Sequence, residues 1–298
     1  MDNLKTIITG GTGWLGKELT RILIDDYSYL PTNLALISSN KNIITVNKKI
    51  IHSKSFEDLN SISFVDTYYD FAFLTREKIH LIGPEKYKEI NEKIISNSVK
   101  LVNKLKPKNV VLASSGAVYK IGKNWNETSN FLYSDLKILH ENKLREICAK
   151  TNSNLIIARI FNLSGNGIID SNRFAFSQIV ESALHNSEIL IKSNYLVTRK
   201  YCDVSQLLNM LVAAVRHNHN DIFDTSGVKI ELRELSKKIV KELNSLSKII
   251  TAEINSELVP DDYFSKSKKY DRLLMEFLGE KTTSIEDQIL KTKNGLTT

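Results

Sequence analysis

The sequence has few cysteines and prolines and no long apolar segment. Its 298 residues include 4 prolines and only 2 cysteines, Cys148 and Cys202, which are too few for a disulfide framework and are typical of a reducing compartment. A helix that crosses a membrane needs about 20 consecutive apolar residues, and the sequence contains no such run. Residues 1–3 lead directly into an apolar strand pattern instead of opening a signal peptide. We therefore predict a cytoplasmic protein.

A block of one charge is also missing. The 41 Lys and Arg residues and the 34 Asp and Glu residues give a net charge of +7, but both signs are interspersed along the chain. Without a basic run interleaved with aromatic residues, the sequence predicts no nucleic-acid partner, whereas a modest positive excess favours an anionic small molecule. His217 and His219 form an alternating pair that is more typical of a polar cap than of a ligand set, so no metal site is predicted.

Buried-strand patterns alternate with helical patterns through the first half of the chain. Such near-continuous apolar runs are typical of parallel strands covered by helices on both faces. The predicted strands are Leu4–Thr9, Leu34–Ser38, Phe71–Leu74, Asn109–Ser114 and Leu155–Ile160, and the longest predicted helices are Pro84–Leu105 and Ser134–Lys150. This alternation predicts an α/β fold with a Rossmann-type, doubly wound parallel sheet.

A glycine-rich loop follows the first predicted strand. In the segment T-G-G-T-G-W-L-G at 9–16, the glycines permit positive backbone angles and close approach of a pyrophosphate, whose charge the following helix N-terminus would meet. A glycine turn alone is weak evidence, but the order strand, loop and helix makes dinucleotide binding the favoured interpretation. The residues predicted to bind the cofactor here are Thr9, Gly10, Gly13, Trp14, Leu15 and Gly16.

The end of the second predicted strand bears on the choice of cofactor. Folds that prefer NAD place an acidic residue there to bind the ribose 2′-hydroxyl, but this chain has Ser38, Ser39, Asn40 and Lys41. Hydroxyl groups and a lysine could hold a 2′-phosphate, so we predict binding by Ser38, Ser39 and Lys41 and prefer NADP, with NAD as the alternative.

A serine, a tyrosine and a lysine complete the candidate catalytic group. Ser115 ends a predicted strand, and Tyr133 and Lys137 open a predicted helix with a spacing that brings them onto one face. A nearby ammonium group would lower the tyrosine pKa from about 10 and make the phenol a proton donor and acceptor. A Tyr-x-x-x-Lys pair is also common as a purely structural contact.

With these motifs in order, the sequence resembles the extended short-chain dehydrogenases/reductases, in particular their nucleotide-sugar branch of UDP-galactose 4-epimerase-like enzymes. Besides the glycine loop and the Ser115, Tyr133 and Lys137 set, the matching segments are Asn91, Ser115–Tyr119, Arg159–Gly165, Arg199–Val204, Phe223–Gly227 and Lys266–Leu278.

The resemblance implies roles for these residues. Tyr133 would exchange a proton with the sugar, Lys137 would tune it and hold the nicotinamide ribose, and Ser115 would hydrogen-bond the reacting oxygen. Asn162 and Arg199 would bind a nucleotide-diphosphate sugar, and Asn91 would belong to the cofactor site. Arg76, which stands where the family has a small residue, is a further candidate for the cofactor phosphates. The family's use of two helices for pairing implies a homodimer.

Domain limits follow from the resemblance and from the shorter apolar segments after about residue 165. We predict a cofactor-binding domain over 1–165, with a returning segment at about 198–228. A smaller C-terminal α+β substrate lobe would comprise 166–197 and 229–298, and 230–291 reads as mostly helical.

Departures from the family pattern narrow the reaction. Gly116 and Ala117 stand where dehydratases have an acidic pair and where epimerase/reductases have a cysteine, and no second phosphate-binding arginine is evident near 258–263. We predict an NADP-dependent oxidoreductase that reduces a 4-keto nucleotide-sugar, or oxidises the alcohol, in deoxysugar or surface polysaccharide synthesis. An NAD-dependent nucleotide-sugar 4-epimerase is the alternative, and a non-catalytic NAD(P)-sensing protein is a more distant one.

Overall fold

Strands and helices alternate along the chain. The computed structural model describes residues 4–39, 43–46, 48–121, 128–171 and 174–297. In chain order its strands are β1 Thr6–Thr9, β2 Leu34–Ile37, β3 Ile43–Val46, β4 Lys49–His52, β5 Thr67–Asp70, β6 Asn109–Ser115, β7 Asn154–Ile160, β8 Asn162–Ser164, β9 Ile189–Ile191, β10 Val197–Asp203, β11 Asp221–Asp224, β12 Val228–Glu231, β13 Ile249–Thr251 and β14 Asp261–Tyr263. Its α-helices are α1 Trp14–Asp25, α2 Lys78–Ile82, α3 Pro84–Leu105, α4 Thr128–Thr151, α5 Ala175–Leu184, α6 Val204–Arg216, α7 Leu232–Glu242, α8 Lys269–Leu278 and α9 Ile285–Thr297.

The chain folds as two units. The described residues of the first unit lie within Met1–Lys120, Asn124–Ile160 and Leu211–Phe223, and those of the second within Ile121–Lys123, Phe161–Met210 and Asp224–Thr298. The boundary between the units falls after Ile160. The end of α6 and most of β11 lie in Leu211–Phe223, which belongs to the first unit. The predicted domain limits at 165 and 198–228 stay predictions.

A six-stranded sheet in the order β11-β7-β6-β5-β1-β2 forms the centre of the first unit. The pairings from β2 across to β7 are all parallel. From β1 the chain moves first to β2 on one side and later to β5 on the other, so the sheet has its switch point beside β1, where such folds bind ligands. The Rossmann-type α/β fold is therefore confirmed.

Burial explains why these segments are strands. Every residue of β1, β2, β5 and β6 is buried, as expected for parallel strands with helices on both faces. On one face, apolar residues of the strands pack with Leu101, Val102 and Leu105 of α3 and with Leu144 and Ile147 of α4 in one core cluster.

One predicted strand is wrong. The strand pattern was assigned to Phe71–Leu74, but β5 comprises Thr67–Asp70, and the apolar residues that follow it form a loop. Tyr68 and Asp70 made the true strand look half-polar, yet both are fully buried. The Tyr68 hydroxyl lies 3.0 Å from Ser98 Oγ, and such pairing allows polar groups to occupy a central strand.

The two long helices of the first unit were predicted with different accuracy. Helix α3 has the predicted bounds, and proline occupies its first position, where a missing N–H costs nothing. Helix α4 begins at Thr128 instead of Ser134, so Tyr133 lies inside the helix and does not open it. Ser129 and Asn130 are buried in this first turn.

The second unit combines small sheets with helices. Strand β10 pairs antiparallel with β12 and parallel with β14 and β8, and β9 pairs with β13. Helices α5, α7 and α9 cover these strands around a core that contains Phe176, Tyr201 and Leu235. The 230–291 region contains the expected helices but also strands β13 and β14.

The turn between β1 and α1 depends on close backbone contacts. Gly10 has a φ of +66°, and a Cβ atom there would lie 2.8 Å from the backbone of Phe71. A Cβ on Gly16, in the first turns of α1, would lie 2.4 Å from the carbonyl oxygen of Gly10. Only glycine therefore allows the loop to fold back over the start of its own helix.

Gly16→Ala is expected to lower the free energy of unfolding by about 2–3 kcal/mol, because a methyl group must be forced against backbone that cannot rotate away. Gly279→Ala is the matched control: its φ of +68° is unfavourable for alanine, but no atom lies within 4 Å of the new Cβ. The control should lose about 1 kcal/mol. Urea unfolding measures both, and equal losses would contradict the close contact.

Candidate active site

The glycine loop ends in a helix N-terminus that is suited to an anion. Gly13 is the N-cap of α1, and its amide donates to Gly10 O at 2.9 Å. The first turn contains no acidic residue, so the positive end of the helix dipole is not neutralised by a side chain of that turn. The backbone of this loop fits the pyrophosphate of a dinucleotide.

The Thr9 side chain links the ends of β1 and β5. Its hydroxyl donates to Asp70 Oδ1 at 2.9 Å, and the side chain is buried. Its predicted cofactor contact stays a prediction.

The end of β2 carries the groups predicted to select the cofactor. The Ser38 hydroxyl donates to Ser53 Oγ at 3.0 Å, and Ser39 follows as an exposed residue. Lys41 lies outside the described residues, as does Asn40. The structure therefore leaves Ser39 as the hydroxyl most accessible to a ribose or its phosphate, and the cofactor preference stays a prediction.

Ser115 and Tyr133 come together at the carboxyl end of β6. Ser115 is the last residue of the strand, and its Oγ accepts a hydrogen bond from Ala117 N at 3.1 Å. Its side chain also interacts with the phenol of Tyr133. Strand β6 and helix α4 therefore place a hydroxyl and a phenol at the edge where open parallel sheets bind ligands.

The phenol does not have the lowered pKa that was expected. Burial raises the pKa of Tyr133, and the interaction with Ser115 offsets this only in part. The predicted effect of Lys137 fails because its ammonium group contacts other partners. Tyr133 therefore carries its proton at neutral pH.

Lys137 lies buried one turn further along α4. Its Nζ donates to Ala113 O at 2.9 Å and lies 3.9 Å from the centre of the Phe73 ring. Burial lowers the pKa of Lys137 to about 8, while the charges of Asp70 and Glu141 act in the opposite direction. The ammonium group is thus retained in a desolvated site by a carbonyl, an aromatic face and two carboxylates.

Asn91 and Arg76 hold the loop after β5. The Asn91 side chain accepts from Leu74 N at 2.9 Å and donates to Tyr87 O at 3.1 Å, and it is fully buried. Arg76 is exposed and donates to Asn130 Oδ1 of α4 at 2.7 Å. Their predicted cofactor contacts stay predictions, since both side chains already have protein partners that order this loop.

The sequence interpretation missed a buried carboxylate, Glu141. The Glu141 carboxylate accepts a hydrogen bond from Ser114 Oγ at 2.6 Å. Arg159 donates to both carboxylate oxygens, at 2.9 and 2.7 Å. Desolvation alone would raise the pKa of Glu141, but these hydrogen bonds and the charges of Arg159 and Arg145 outweigh it and hold the pKa below 4.5. Its position four residues after Lys137 was the available signal, because that spacing puts it on the same face.

Two of the predicted substrate residues, Asn162 and Arg199, lie in the second unit. Asn162 Nδ2 donates to Tyr263 O at 3.2 Å. Arg199 donates to Thr198 O and Asp261 O through Nη1 and to the Asp261 carboxylate through Nη2, at 2.6 Å. Asp261 occupies the region where a second arginine was sought. Of the five donors of Arg199, Nε–H and one Nη2–H make no hydrogen bond within the described chain.

Comparisons with known proteins agree with this geometry. The model of the NAD dependent epimerase/dehydratase family matches residues 6–224. This chain belongs to the NAD-dependent epimerase/dehydratase family. The match covers the glycine loop, Ser115, Tyr133 and Lys137, and it extends through Asn162 and Arg199. No curated protein matches the sequence.

Solved structures from this family share the fold at low sequence identity. An epimerase from Methanothermobacter thermautotrophicus is 18% identical with a TM-score of 0.77, covering 99% of this chain and 93% of that one. A UDP-N-acetylglucosamine 4-epimerase from Methanobrevibacter ruminantium, in complex with UDP-N-acetylmuramic acid, is 18% identical with a TM-score of 0.75, covering 100% and 99%. A Thermus thermophilus UDP-glucose 4-epimerase in complex with NAD is 14% identical with a TM-score of 0.76, covering 99% of both chains.

The described residues show neither a group of metal ligands nor a membrane-spanning helix. Within the described ranges, histidine, cysteine and acidic side chains nowhere form a group of three or more that could hold a metal ion. Among the helices that the structure describes, none is long and apolar enough to cross a membrane.

Replacing Glu141 by Gln should cost about 2–3 kcal/mol of unfolding free energy at neutral pH, because Arg159 and Arg145 lose their buried counter-charge. The stability that this carboxylate provides is fully present above its ordinary pKa of 4.5 and is lost as the pH falls through its lower folded value. The gap between wild type and Glu141→Gln should therefore close in acid. Urea unfolding across the acidic range measures it.

Glu146→Gln is the matched control on the same helix. Glu146 is exposed and pairs with Lys150 at 2.7 Å, so its loss should leave the midpoint unchanged. A gap between wild type and Glu141→Gln that stays constant down to low pH would contradict an ionised Glu141.

Proposed function

We propose that the protein is an NAD-dependent nucleotide-sugar 4-epimerase. The observation that carries this proposal is the interaction of Tyr133 of α4 with Ser115, the last residue of β6. Lys137 lies on the next turn of α4, and the glycine loop belongs to the same folding unit. Family membership and the UDP-sugar 4-epimerases among similar structures support the same reaction.

The residues present fit a bound dinucleotide. In the described part of the chain, no side chain caps the N-terminus of α1 and its first turn has no acidic residue, so its amides can receive a pyrophosphate. When bound, NAD would supply the chemistry of hydride transfer with the sugar carbon. Lys137 would hold the nicotinamide ribose, and the amides at the start of α1 would hold the pyrophosphate.

The protein's own task is to move a proton at the sugar oxygen. Because burial raises the pKa of Tyr133, the phenol would first have to release its own proton, which the positive charge of bound NAD would favour. The phenolate would then accept the proton of the 4-hydroxyl as the carbon is oxidised, and would return it when the carbon is reduced from the other face. Ser115 would hydrogen-bond the same oxygen and orient it. Because one proton leaves and one returns, Tyr133 ends each turnover in its initial state. Gly116 and Ala117 offer no acid or base for removing water, which disfavours dehydration.

The nucleotide would be recognised by the second unit. Arg199 retains Nε–H and one Nη2–H for the diphosphate, and Asp261 fixes the plane of its guanidinium. Asn162 would contact the nucleotide-sugar by exchanging its hydrogen bond to Tyr263.

A second candidate is the NADP-dependent reductase of a 4-keto nucleotide-sugar. Two observations favour it. Burial raises the pKa of Tyr133, so the phenol is protonated and ready to donate to a ketone. The segment Ser38–Ser39 contains no acidic residue that would repel a 2′-phosphate.

Tyr133→Phe should lower turnover of UDP-glucose or UDP-N-acetylglucosamine by about 100-fold or more, because the proton donor and acceptor is lost. Binding of NADH should be unchanged, since the phenol oxygen is not a ribose ligand in this proposal. Steady-state kinetics and fluorescence titration measure the two effects. Tyr29→Phe, in the connection that follows α1, is the matched control and should retain full turnover. Retained turnover in Tyr133→Phe would refute the catalytic role.

The nucleotide carried by the purified protein distinguishes the two candidate reactions. An epimerase keeps its hydride within one active site, so we expect NAD to be released on denaturation and identified by mass spectrometry. A reductase would release no bound NAD and would oxidise NADPH in the presence of a 4-keto sugar nucleotide. Stoichiometric consumption of NADPH would overturn the epimerase proposal in favour of the reductase.

A further inference from the structure

A buried aspartate and a buried histidine, Asp70 and His140, lie close to the candidate catalytic residues Tyr133 and Lys137. His140 Nε2 is 2.9 Å from Asp70 Oδ2, and both side chains are essentially inaccessible to solvent. Thr9 donates to the other Asp70 oxygen at 2.9 Å. Burying two titratable groups in a core costs free energy unless both are fully paired. Such groups are therefore candidates for a functional role. The mechanism above uses neither of them.

The pair is connected to the catalytic residues through one aromatic ring. The His140 ring stacks on Phe73, with centroids 6.0 Å apart and planes at 21°. Lys137 Nζ lies 3.9 Å from the centre of the same ring, and Tyr133 meets it edge to face at 5.9 Å. Phe73 therefore contacts three side chains that α4 presents on successive turns.

The loop that carries Phe73 is held firmly. Asn91 accepts from Leu74 N, and the Tyr87 hydroxyl donates to Leu74 O at 2.7 Å. Both polar groups of the next residue are thus bound to α3. Asp70, at the end of β5, anchors the other side of the loop.

Charge balance indicates what the pair does. Desolvation would raise the pKa of Asp70, but His140 and hydrogen bonds hold it below its ordinary value, so the carboxylate is ionised and can only accept. His140 Nε2 therefore donates to it. His140 Nδ1 has no hydrogen-bond partner among the described residues. Nε2 is therefore the ring atom that fixes the histidine to the end of β5.

The charge of Asp70 also acts on groups outside this pair. The other titratable groups that interact with this carboxylate are Tyr68 and Cys148, whose pKa values burial raises, and Lys137. Glu141 also acts on Lys137, but its charge is matched by Arg145 and Arg159. The charge of Asp70 therefore favours the charged form of Lys137.

We propose that Asp70, His140 and Phe73 form a positioning assembly that holds the Lys137 side chain in place and keeps its ammonium group charged. This inference rests on the proposed function, because the charged Lys137 is the group that would hold the nicotinamide ribose. His140 acts through its stacking on Phe73, and Asp70 acts through its charge.

Asp70→Asn tests the proposal, since it keeps the size and the bond from Thr9 but removes the charge. Cofactor affinity and turnover should both fall at alkaline pH as Lys137 loses its proton. In the variant this alkaline limb should move to lower pH by about one unit. NADH fluorescence titration and turnover of UDP-glucose, from about pH 6 to pH 10, measure the limb.

Tyr68→Phe is the matched control. It removes a buried hydroxyl, bound to Thr9 and Ser98 in the same cluster, without changing any charge. It should lower thermal stability and leave the limb in place, so a purely structural role cannot imitate the effect. If Asp70→Asn does not fold, Asp70→Asn combined with His140→Phe removes both buried polar partners, keeps the ring stack, and should show the same shift.

The outcomes separate the two proposals. A wild-type chain that neither carries NAD when purified nor binds NADH would refute the proposed function and this inference with it. NADH binding with an identical alkaline limb in wild type and Asp70→Asn would refute this inference alone. A limb that moves to lower pH in Asp70→Asn but not in Tyr68→Phe supports it.

Discussion

The active-site geometry depends on retaining a positive charge inside the protein. Lys137 is 95% shielded, with 5% of its surface exposed, and an ammonium group in such a place is stable only where carbonyls, carboxylates or aromatic faces replace water. Ala113 O, the Phe73 ring and the two carboxylates do so here. Each comes from a different segment, so the end of β6, the loop after β5 and one face of α4 must be correctly placed together.

The part of the fold that the sequence predicted is the part determined by apolar periodicity. Helix α3 was predicted with its bounds because an apolar stripe and an N-terminal proline mark it. The strand Thr67–Asp70 was missed because its burial depends on partners far away in sequence, such as Ser98 and His140. Periodicity reports which side chains are apolar, but it does not report which polar side chains will find a buried partner.

The candidate site shows the same division. Motif order and spacing, together with the resemblance, indicated Ser115, Tyr133 and Lys137, and in the structure the first two side chains interact. The sequence interpretation then treated Lys137 as the main influence on the phenol, because spacing on a helix was the only geometry it contained. Desolvation acts over the whole environment of a group, so the direction of the Tyr133 pKa shift follows from burial by several segments and could not be obtained from a pair of residues.

In the second unit, a neighbouring charge also affects Arg199, the residue proposed to bind the nucleotide diphosphate. Arg199 is bound to the carboxylate of Asp261 before any nucleotide arrives. A diphosphate that approaches the two remaining donors would be attracted by the guanidinium and repelled by Asp261, so the net gain from Arg199 is smaller than that of an unpaired arginine. The carboxylate, however, fixes the plane of the guanidinium, which reduces the entropy lost on binding. The pair of Arg199 and Asp261 therefore favours orientation of the diphosphate over affinity for it. This suits the proposed epimerase, which would have to hold a sugar with either face towards the cofactor and then release it.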